Sequence, residues 1–325
     1  MKINFEKFPK LTEAKEYIKK LEDIEWPLFS DFESSDDFLK VIEKIILNDF
    51  DKIPEIITRY KPNEFQLPIF RARELNSFSN INQFSEHSYP PINLTGFNKC
   101  NYPNKPVFYS FNSPLTALKE IIRDGNSNER KFCLSKWEII DSDQEFISQN
   151  FIHGEFNNQN EFNNLKEKEF YELDTLFKDK LNSDQKAGMT ELIKFLHNTF
   201  INDKNYALSS TLAHRTLNAK HRIATDIIIY PSAQTNYKGI NMAIHPNFVD
   251  NMMRVQRFYI VQLKNYDIET GKFNVTFLKY ADIIKNRINW KDINPEDKQF
   301  LKYLELDFND LLNEGSQGKF NLKKM

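Results

Sequence analysis

Glycine and cysteine are both scarce, with 8 and 2 residues in a chain of 325. Two cysteines, Cys100 and Cys133, cannot build a disulfide framework, and they lack the spacing of metal ligands, so no metal site is expected. Cys100 has no histidine near it in sequence to activate it as a nucleophile. No apolar run approaches the roughly twenty residues needed to cross a bilayer. Charge of one sign is lacking too. A formal net charge of −2 gives no basic footprint for bulk nucleic acid or an anionic membrane surface. Met1-Lys2-Ile3-Asn4 leads into charged sequence instead of an apolar signal core, and the expectation is a cytoplasmic protein.

What is present is apolar bulk. The chain is 40% hydrophobic and 14% aromatic, with 29 phenylalanines, ample for a packed core and long enough for two domains. The abundance of Phe, Lys, Asn and Ile against few Gly reads as the mark of AT-rich coding more than of function.

The most informative stretch runs from Pro106 to Glu120. Val107, Phe108, Tyr109 and Phe111 form a β-branched and aromatic run bounded by Pro106 and by Asn112-Ser113-Pro114, which reads as a buried strand and a turn. Ser113 is placed to cap a helix, and Pro114 fits its first position, where the missing N–H costs nothing. Leu115, Leu118 and Ile122 recur at helical spacing and form a face for the sheet. Glu120 lies about two turns in, beyond the first turn where an acid serves the helix dipole. A tyrosine and a carboxylate are thereby brought to one end of a sheet.

Around this stretch lie Phe70-Arg71-Ala72-Arg73, Tyr89-Pro90-Pro91 and Gly96-Phe97-Asn98-Lys99-Cys100-Asn101-Tyr102-Pro103 upstream. Downstream come the strand-like Asp226-Ile227-Ile228-Ile229-Tyr230-Pro231-Ser232 and then Gly239-Ile240-Asn241-Met242-Ala243-Ile244-His245-Pro246. In this order the set resembles the RES domain, a bacterial family named for an Arg, a Glu and a Ser and related in fold to ADP-ribosyltransferases. The resemblance spans roughly Phe65 to Leu263. The family's functional places correspond here to Lys99-Cys100-Asn101, Tyr109, Glu120 and Ser232. Lys99 stands where the family has arginine, a point charge in place of a planar fork of donors. Arg71 and Arg73 are further cations near the same sheet end, one of which would share its work.

The resemblance implies an enzyme that consumes NAD as substrate, with no resident cofactor, by hydrolysis or phosphorolysis of the nicotinamide–ribose bond. It also implies a toxin, often inhibited by a small antitoxin bearing a helix-turn-helix domain, and pairing into homo-oligomers. Breaking this bond builds positive charge on the ribose while nicotinamide leaves neutral, so the protein chiefly positions the substrate and stabilises charge. Glu120 would hold the ribose 2′-hydroxyl beside the developing cation, and Tyr109 would offer a stacking ring and one hydroxyl. Ser232 would bond the carboxamide or a ribose hydroxyl, and Lys99, with Asn101 beside it, would serve the pyrophosphate. Two alternatives stay open: transfer of ADP-ribose to a protein, and a nucleotide-binding module without turnover.

The expected fold is α+β, an ADP-ribosyltransferase-like mixed and mostly antiparallel sheet. A helical N-terminal unit over 1–62 precedes a catalytic domain over 63–290, and a C-terminal helix and tail occupy 291–325. Leu11, Ala14, Tyr17, Ile18 and Leu21, then Phe38, Leu39, Ile42, Ile45 and Ile46, give the helical period of the first unit. The polar Asn157-Asn158-Gln159-Asn160 bend and the apolar spacing of Leu192, Ile193, Leu196 and Phe200 indicate a helical insertion over about 145–222, for which a lid and a decorative helical pair are the two open readings. His214-Arg215 and His221-Arg222 read as a solvated helix with no third metal ligand. His245 ends a strand and receives no catalytic role, while Gly239 and Asn241 read as shaping the sheet. Arg257–Leu263 and Lys272–Lys279 read as a hairpin around Asp267-Ile268-Glu269-Thr270-Gly271, and the tail from Gly315-Ser316-Gln317-Gly318 to Lys323-Lys324 as disordered.

Overall fold

The computed structural model describes residues 8–47, 56–122, 129–153, 163–219, 224–264, 273–313 and 318–321. In chain order the elements are α1 (Leu11–Glu22), α2 (Ser35–Ile46), β1 (Ile57–Tyr60), β2 (Ile69–Glu74), β3 (Phe108–Phe111), α3 (Pro114–Ile121), β4 (Lys131–Ile139) and β5 (Phe146–Asn150). They continue with α4 (Asn163–Phe177), α5 (Ser183–Asn202), α6 (Ala207–Leu217), β6 (Ile227–Pro231), β7 (Ile240–Ile244), α7 (Pro246–Met252), β8 (Met253–Lys264), β9 (Phe273–Ile284), β10 (Arg287–Asp292), α8 (Lys298–Asn313) and β11 (Gly318–Asn321). The protein is a mixed α+β fold with mostly antiparallel strands. None of the described helices is long and apolar enough to cross a membrane.

Two compact units are interleaved along the chain. The first comprises 1–61, 91–107 and 144–233, and the second 62–90, 108–143 and 234–325. This corrects the expected separate N-terminal unit, because α1 packs on α5 and α2 on α6 within the first unit. The expected insertion is corrected as well. It opens on a strand, β5, which pairs antiparallel with β1 and parallel with β6. Asn157 to Asn160, His221 and Arg222 lie outside the described residues.

In the first unit, Ser34 caps α2 by accepting the Asp37 backbone N–H, and Phe38, Ile42 and Ile46 recur on the buried face. Phe38 is the hub of an aromatic cluster. Phe29 stacks on Phe97 with centroids 4.3 Å apart, and both meet Phe38 edge-on. Tyr102 joins them and its hydroxyl bonds Thr211 Oγ1 at 2.9 Å. The 91–107 segment is thus anchored by rings at both ends of its Lys99-Cys100-Asn101 turn. The helix α6 is buried along most of its length, from Ala207 to Ala213, which corrects the solvated reading of His214. Burial lowers the His214 pKa, and its ring packs edge-on against Tyr102.

The second unit holds strands in the order β7-β3-β2-β4-β8-β9-β10, each antiparallel to its neighbour. Successive residues point to opposite faces. Phe70, Ala72, Phe132, Leu134, Tyr259 and Phe277 face α3 and α8, whereas Cys133, Phe258 and Ala281 face Phe78, Ile81, Phe84 and Trp290. Burial of each phenylalanine or leucine side chain among them contributes about 1.5–3 kcal/mol. Helix α8 is also pinned by a bidentate pair, Arg257 with Asp307 at 2.7 and 2.8 Å, to which the Tyr259 hydroxyl adds a 2.5 Å bond. The expected hairpin is present as β8 and β9, and Asp267 to Gly271 lie outside the described residues. The tail differs from the disorder expected: Gly318–Asn321 pairs parallel with β9. Gly315, Ser316, Gln317, Lys323 and Lys324 lie outside the described residues.

With glycine so rare, other residues take left-handed backbone. Asn104, Glu129, Tyr206, Asn236, Tyr237, Lys285 and Asn286 all have φ between 48° and 62°. Lys285-Asn286 forms the two-residue turn between β9 and β10, a geometry that matches the twist of the strands.

Gly188, inside α5, sits where a Cβ would stand 2.3 Å from the Pro9 carbonyl oxygen and 2.7 Å from the Lys10 carbonyl carbon. Alanine would gain about 1 kcal/mol of helix propensity but force the backbone at the start of α1 aside, a change that costs about 1–3 kcal/mol. Urea unfolding of Gly188→Ala is expected to show a net loss, while Gly96→Ala, where nothing lies within 4 Å of the added carbon, leaves the midpoint unchanged.

Candidate functional site

The strand-to-helix junction forms as its sequence requires. Ser113 has extended backbone, its Oγ accepts the Thr116 N–H at 3.1 Å, and Pro114 occupies the first helical turn. The helix α3 then lays Ala117 and Leu118 on Phe70, Ala72 and Phe111. Two residues further on, Glu120 is carried in against the sheet and is only 8% exposed. Its Oε1 accepts a hydrogen bond of 2.8 Å from Asn241 Nδ2.

Asn241 lies in β7 directly opposite Phe111 of β3. Its neighbours Ile240, Met242, Ala243 and Ile244 are all buried and apolar, and Asn241 itself is 5% exposed. Because Nδ2 is committed to Glu120, the amide oxygen is oriented, and Oδ1 has no hydrogen-bond partner among the described residues. A buried acceptor left in this state costs about 1–3 kcal/mol, which a donor from a ligand or water would recover. Glu120 and Asn241 thus place two kinds of acceptor side by side, an arrangement suited to neighbouring hydroxyl groups.

A second amide fixes the two elements to each other. Asn112, the residue before the cap, accepts the Ile240 N–H on its Oδ1 at 2.8 Å, and its own N–H bonds the Ile240 carbonyl at 3.1 Å. Gly239 passes so close to α3 that a Cβ would lie 2.3 Å from Thr116 Oγ1. The turn that delivers Asn241 is therefore seated on the first turn of the helix that delivers Glu120.

Tyr109 pairs with Ala243, two residues along from the Phe111–Asn241 pair, and by the pleat its side chain shares their face about 7 Å away. Tyr109 and Glu120 are thus brought to one face of the sheet in the second unit. Arg71 and Arg73 are not. The register Phe70–Phe111 puts both on the opposite face. There Arg71 donates to the Tyr109 carbonyl at 2.7 Å and lies over the Phe108 ring, while burial and the nearby Arg73 charge pull its pKa down to about 10. Arg73 donates to the Glu86 and Ser77 carbonyls and covers Phe78. Beside it His87 is buried and its pKa falls to about 4, so its ring is neutral at pH 7.

The remaining candidates belong to the first unit. Lys99 Nζ donates to the Phe200 and Ile201 carbonyls at 2.7 and 3.1 Å, at the C-terminus of α5, where a cation complements the helix dipole. Asn101 Nδ2 donates to the Gly96 carbonyl at 2.6 Å and so closes the turn that carries Lys99. Ser232 follows β6 directly and is fully buried. Cys100 and Cys133 are buried thiols, and burial drives the Cys133 pKa upward, away from thiolate chemistry. His245 caps α7 by accepting the Asn247 N–H.

The role of Asn241 beside Glu120 was not legible as a role, although a lone amide in Ile240-Asn241-Met242-Ala243-Ile244 was its signal. A buried amide within a strand needs a partner, and here that partner is the carboxylate. Compared with known proteins, the chain matches no family model and no curated protein.

Asn112→Ala removes the acceptor of a buried backbone N–H and leaves it unpaired, at a cost of about 1–3 kcal/mol. Chemical denaturation is expected to show that loss, and Asn112→Asp, which keeps the acceptor, to recover part of it.

Proposed function

We propose that the protein cleaves the nicotinamide–ribose bond of NAD, with Glu120 as the residue that holds the ribose and stabilises its charge. The observation that carries this reading is the buried Glu120 carboxylate fixed by Asn241, which lies next to an unpartnered acceptor on the face that Tyr109 shares. Its context is the resemblance of the motif order to the RES family, whose fold is related to ADP-ribosyltransferases. In the reaction the C1′–N bond breaks and its electron pair leaves with nicotinamide. Water or phosphate supplies the new C1′–O bond, and a proton is released when water is the acceptor.

The residues divide the work by chemistry. Glu120 accepts from the ribose 2′-hydroxyl and sets negative charge beside C1′ as it turns cationic. Tyr109 supplies a ring face and a directional hydroxyl. The resemblance to the RES family assigns the carboxamide to Ser232 and the pyrophosphate to Lys99, whose turn Asn101 closes. In a cell such an activity requires restraint, which a cognate antitoxin with a helix-turn-helix domain provides.

A second reading is a nucleotide-binding module without turnover. The observation in its favour is that the Lys99 ammonium is already bound to the end of α5, where an arginine would have further donors to spare for phosphate.

The test is to incubate purified protein with NAD, with and without inorganic phosphate, and to quantify nicotinamide and the ribosyl product. Glu120→Gln is expected to reduce nicotinamide release by about a hundredfold or more, the scale of one lost charge-stabilising group. Full activity in that variant overturns the assignment. NAD affinity with no release selects the second reading, and label from NAD retained on a protein selects ADP-ribosyl transfer.

A further inference from the structure

The first unit contains an open groove that the NAD reading does not use. It forms where the chain turns away at the end of α1, which packs on α5, and it has a volume of about 640 Å³. Sites that take a side chain or a small ligand span about 300–1,000 Å³. Its apolar lining comes from Ile18 and Leu21 of α1, Ile24 and Trp26 just past it, and Phe195 of α5.

The two rings of this lining are the anomaly. Elsewhere in the unit rings pack closely on one another, Phe29 on Phe97 at 4.3 Å and Phe151 on Phe200 at 3.8 Å. Trp26 and Phe195 are both half-buried, yet neither has a ring contact with another described residue, and the Trp26 indole N–H has no acceptor among them. An indole usually satisfies its N–H once it leaves water, so Trp26 offers a ring face and a donor to whatever enters the groove.

Charge gives the groove a preference. Glu22 lines it, with Asp23 and Glu25 beside it, and all three are exposed without an ion-pair partner among the described residues. From Glu22 to Asp37 the chain carries seven acids and no lysine or arginine. The α5 side does not offset this. Glu191 and Lys194 neutralise each other at 3.3 Å, and Asp203 spends its carboxylate on Ser209 and on the Asn205 N–H, which leaves Lys204 as the other cation of the lining. Asn198 and Asn202, one turn apart on α5, also line the groove, and a carboxamide carries both a donor and an acceptor.

We propose that this groove docks a short extended segment of a partner protein, in which an apolar side chain is flanked by lysine or arginine. The apolar side chain enters between Trp26 and Phe195. The flanking cation meets Glu22 and its acidic neighbours, and its stem covers the Trp26 ring, which adds a cation–π attraction. Asn198 and Asn202 serve the segment's backbone, whose N–H and C=O groups need one acceptor and one donor each. The same acids repel nucleic acid and anionic lipid, so the surface selects a cationic protein segment over those partners.

Fluorescence anisotropy on the full chain tests this in the absence of NAD, so the result is independent of the NAD reading. The probe is a short labelled peptide with a central leucine between pairs of lysines and with glycine–serine ends. It is expected to bind about tenfold or more tightly than counterparts with glutamate for lysine or serine for leucine. Glu22→Lys and Trp26→Ala are each expected to weaken it by about tenfold, the scale of a lost interface anchor. Glu305→Lys, on the exposed side of α8 in the second unit, is expected to leave it unchanged. Equal binding of the three peptides, no binding of any, or wild-type affinity in both groove variants overturns the proposal. So does an affinity that Glu305→Lys lowers as much as Glu22→Lys, which marks unselective attraction to the whole surface. Sedimentation of the wild type as a dimer that Trp26→Ala dissociates assigns the groove to a second copy and overturns it as well. If Trp26→Ala does not fold, Trp26→Phe, which keeps a ring and removes the indole N–H, and Glu22→Lys decide.

Discussion

The hydrogen bond from Asn241 to Glu120 is the interaction on which the candidate site rests. A carboxylate on an amphipathic helix has many rotamers open to it, and most of them lead to water. One amide, in a strand whose other side chains are apolar, selects the inward rotamer and holds it. The selection works only because helix and strand keep a fixed register. Asn112 supplies that register through two bonds to Ile240, and Gly239 permits the close approach to Thr116. The geometry of such a site depends on support from residues outside it.

The two buried glutamates make an instructive contrast. Glu120 receives a neutral donor in the second unit and lies beside a vacant acceptor. Glu169 of the first unit meets a histidine through Oε2, while its Oε1 has no hydrogen-bond partner among the described residues. Both side chains are turned inward, one held by a neutral amide on a strand and the other by an imidazole just past one.

Much of this was legible in the sequence where local rules dominate. The strand, the Ser113 cap, the Pro114 start and the helix carrying Glu120 all follow from residues within fifteen positions of one another. The hairpin of β8 and β9 and the helices α1, α2 and α5 were legible for the same reason. Partners far along the chain were not. Arg71 and Arg73 were read as cations near the sheet end of Tyr109 and Glu120 and lie on the opposite face, because the side a strand residue faces is set by its pairing register, and a shift of one residue reverses it. The apolar and polar pattern of β5 gave no strand signal, since Ser148, Gln149 and Asn150 are polar residues that become buried only through the pairing of β5 with β1 and β6. The burial of α6 was missed because it reads as polar, with two serines and two threonines, of which Thr211 and Thr216 bond carbonyls of their own helix and Thr211 also meets Tyr102.

The corners of the chain carry a consequence of its glycine scarcity. Left-handed backbone costs a residue with a Cβ about 1–2 kcal/mol, whereas glycine avoids that strain but has more freedom to lose on folding, about 0.5–1 kcal/mol. At Asn104, Asn236 and Asn286 the two nearly cancel, since asparagine tolerates this region well. At Glu129, Tyr206, Tyr237 and Lys285 they do not. The molecule therefore holds an unused reserve of stability in its turns, which lies outside the core and apart from Glu120 and Asn241, and a lineage could draw on it to tolerate change at the site itself.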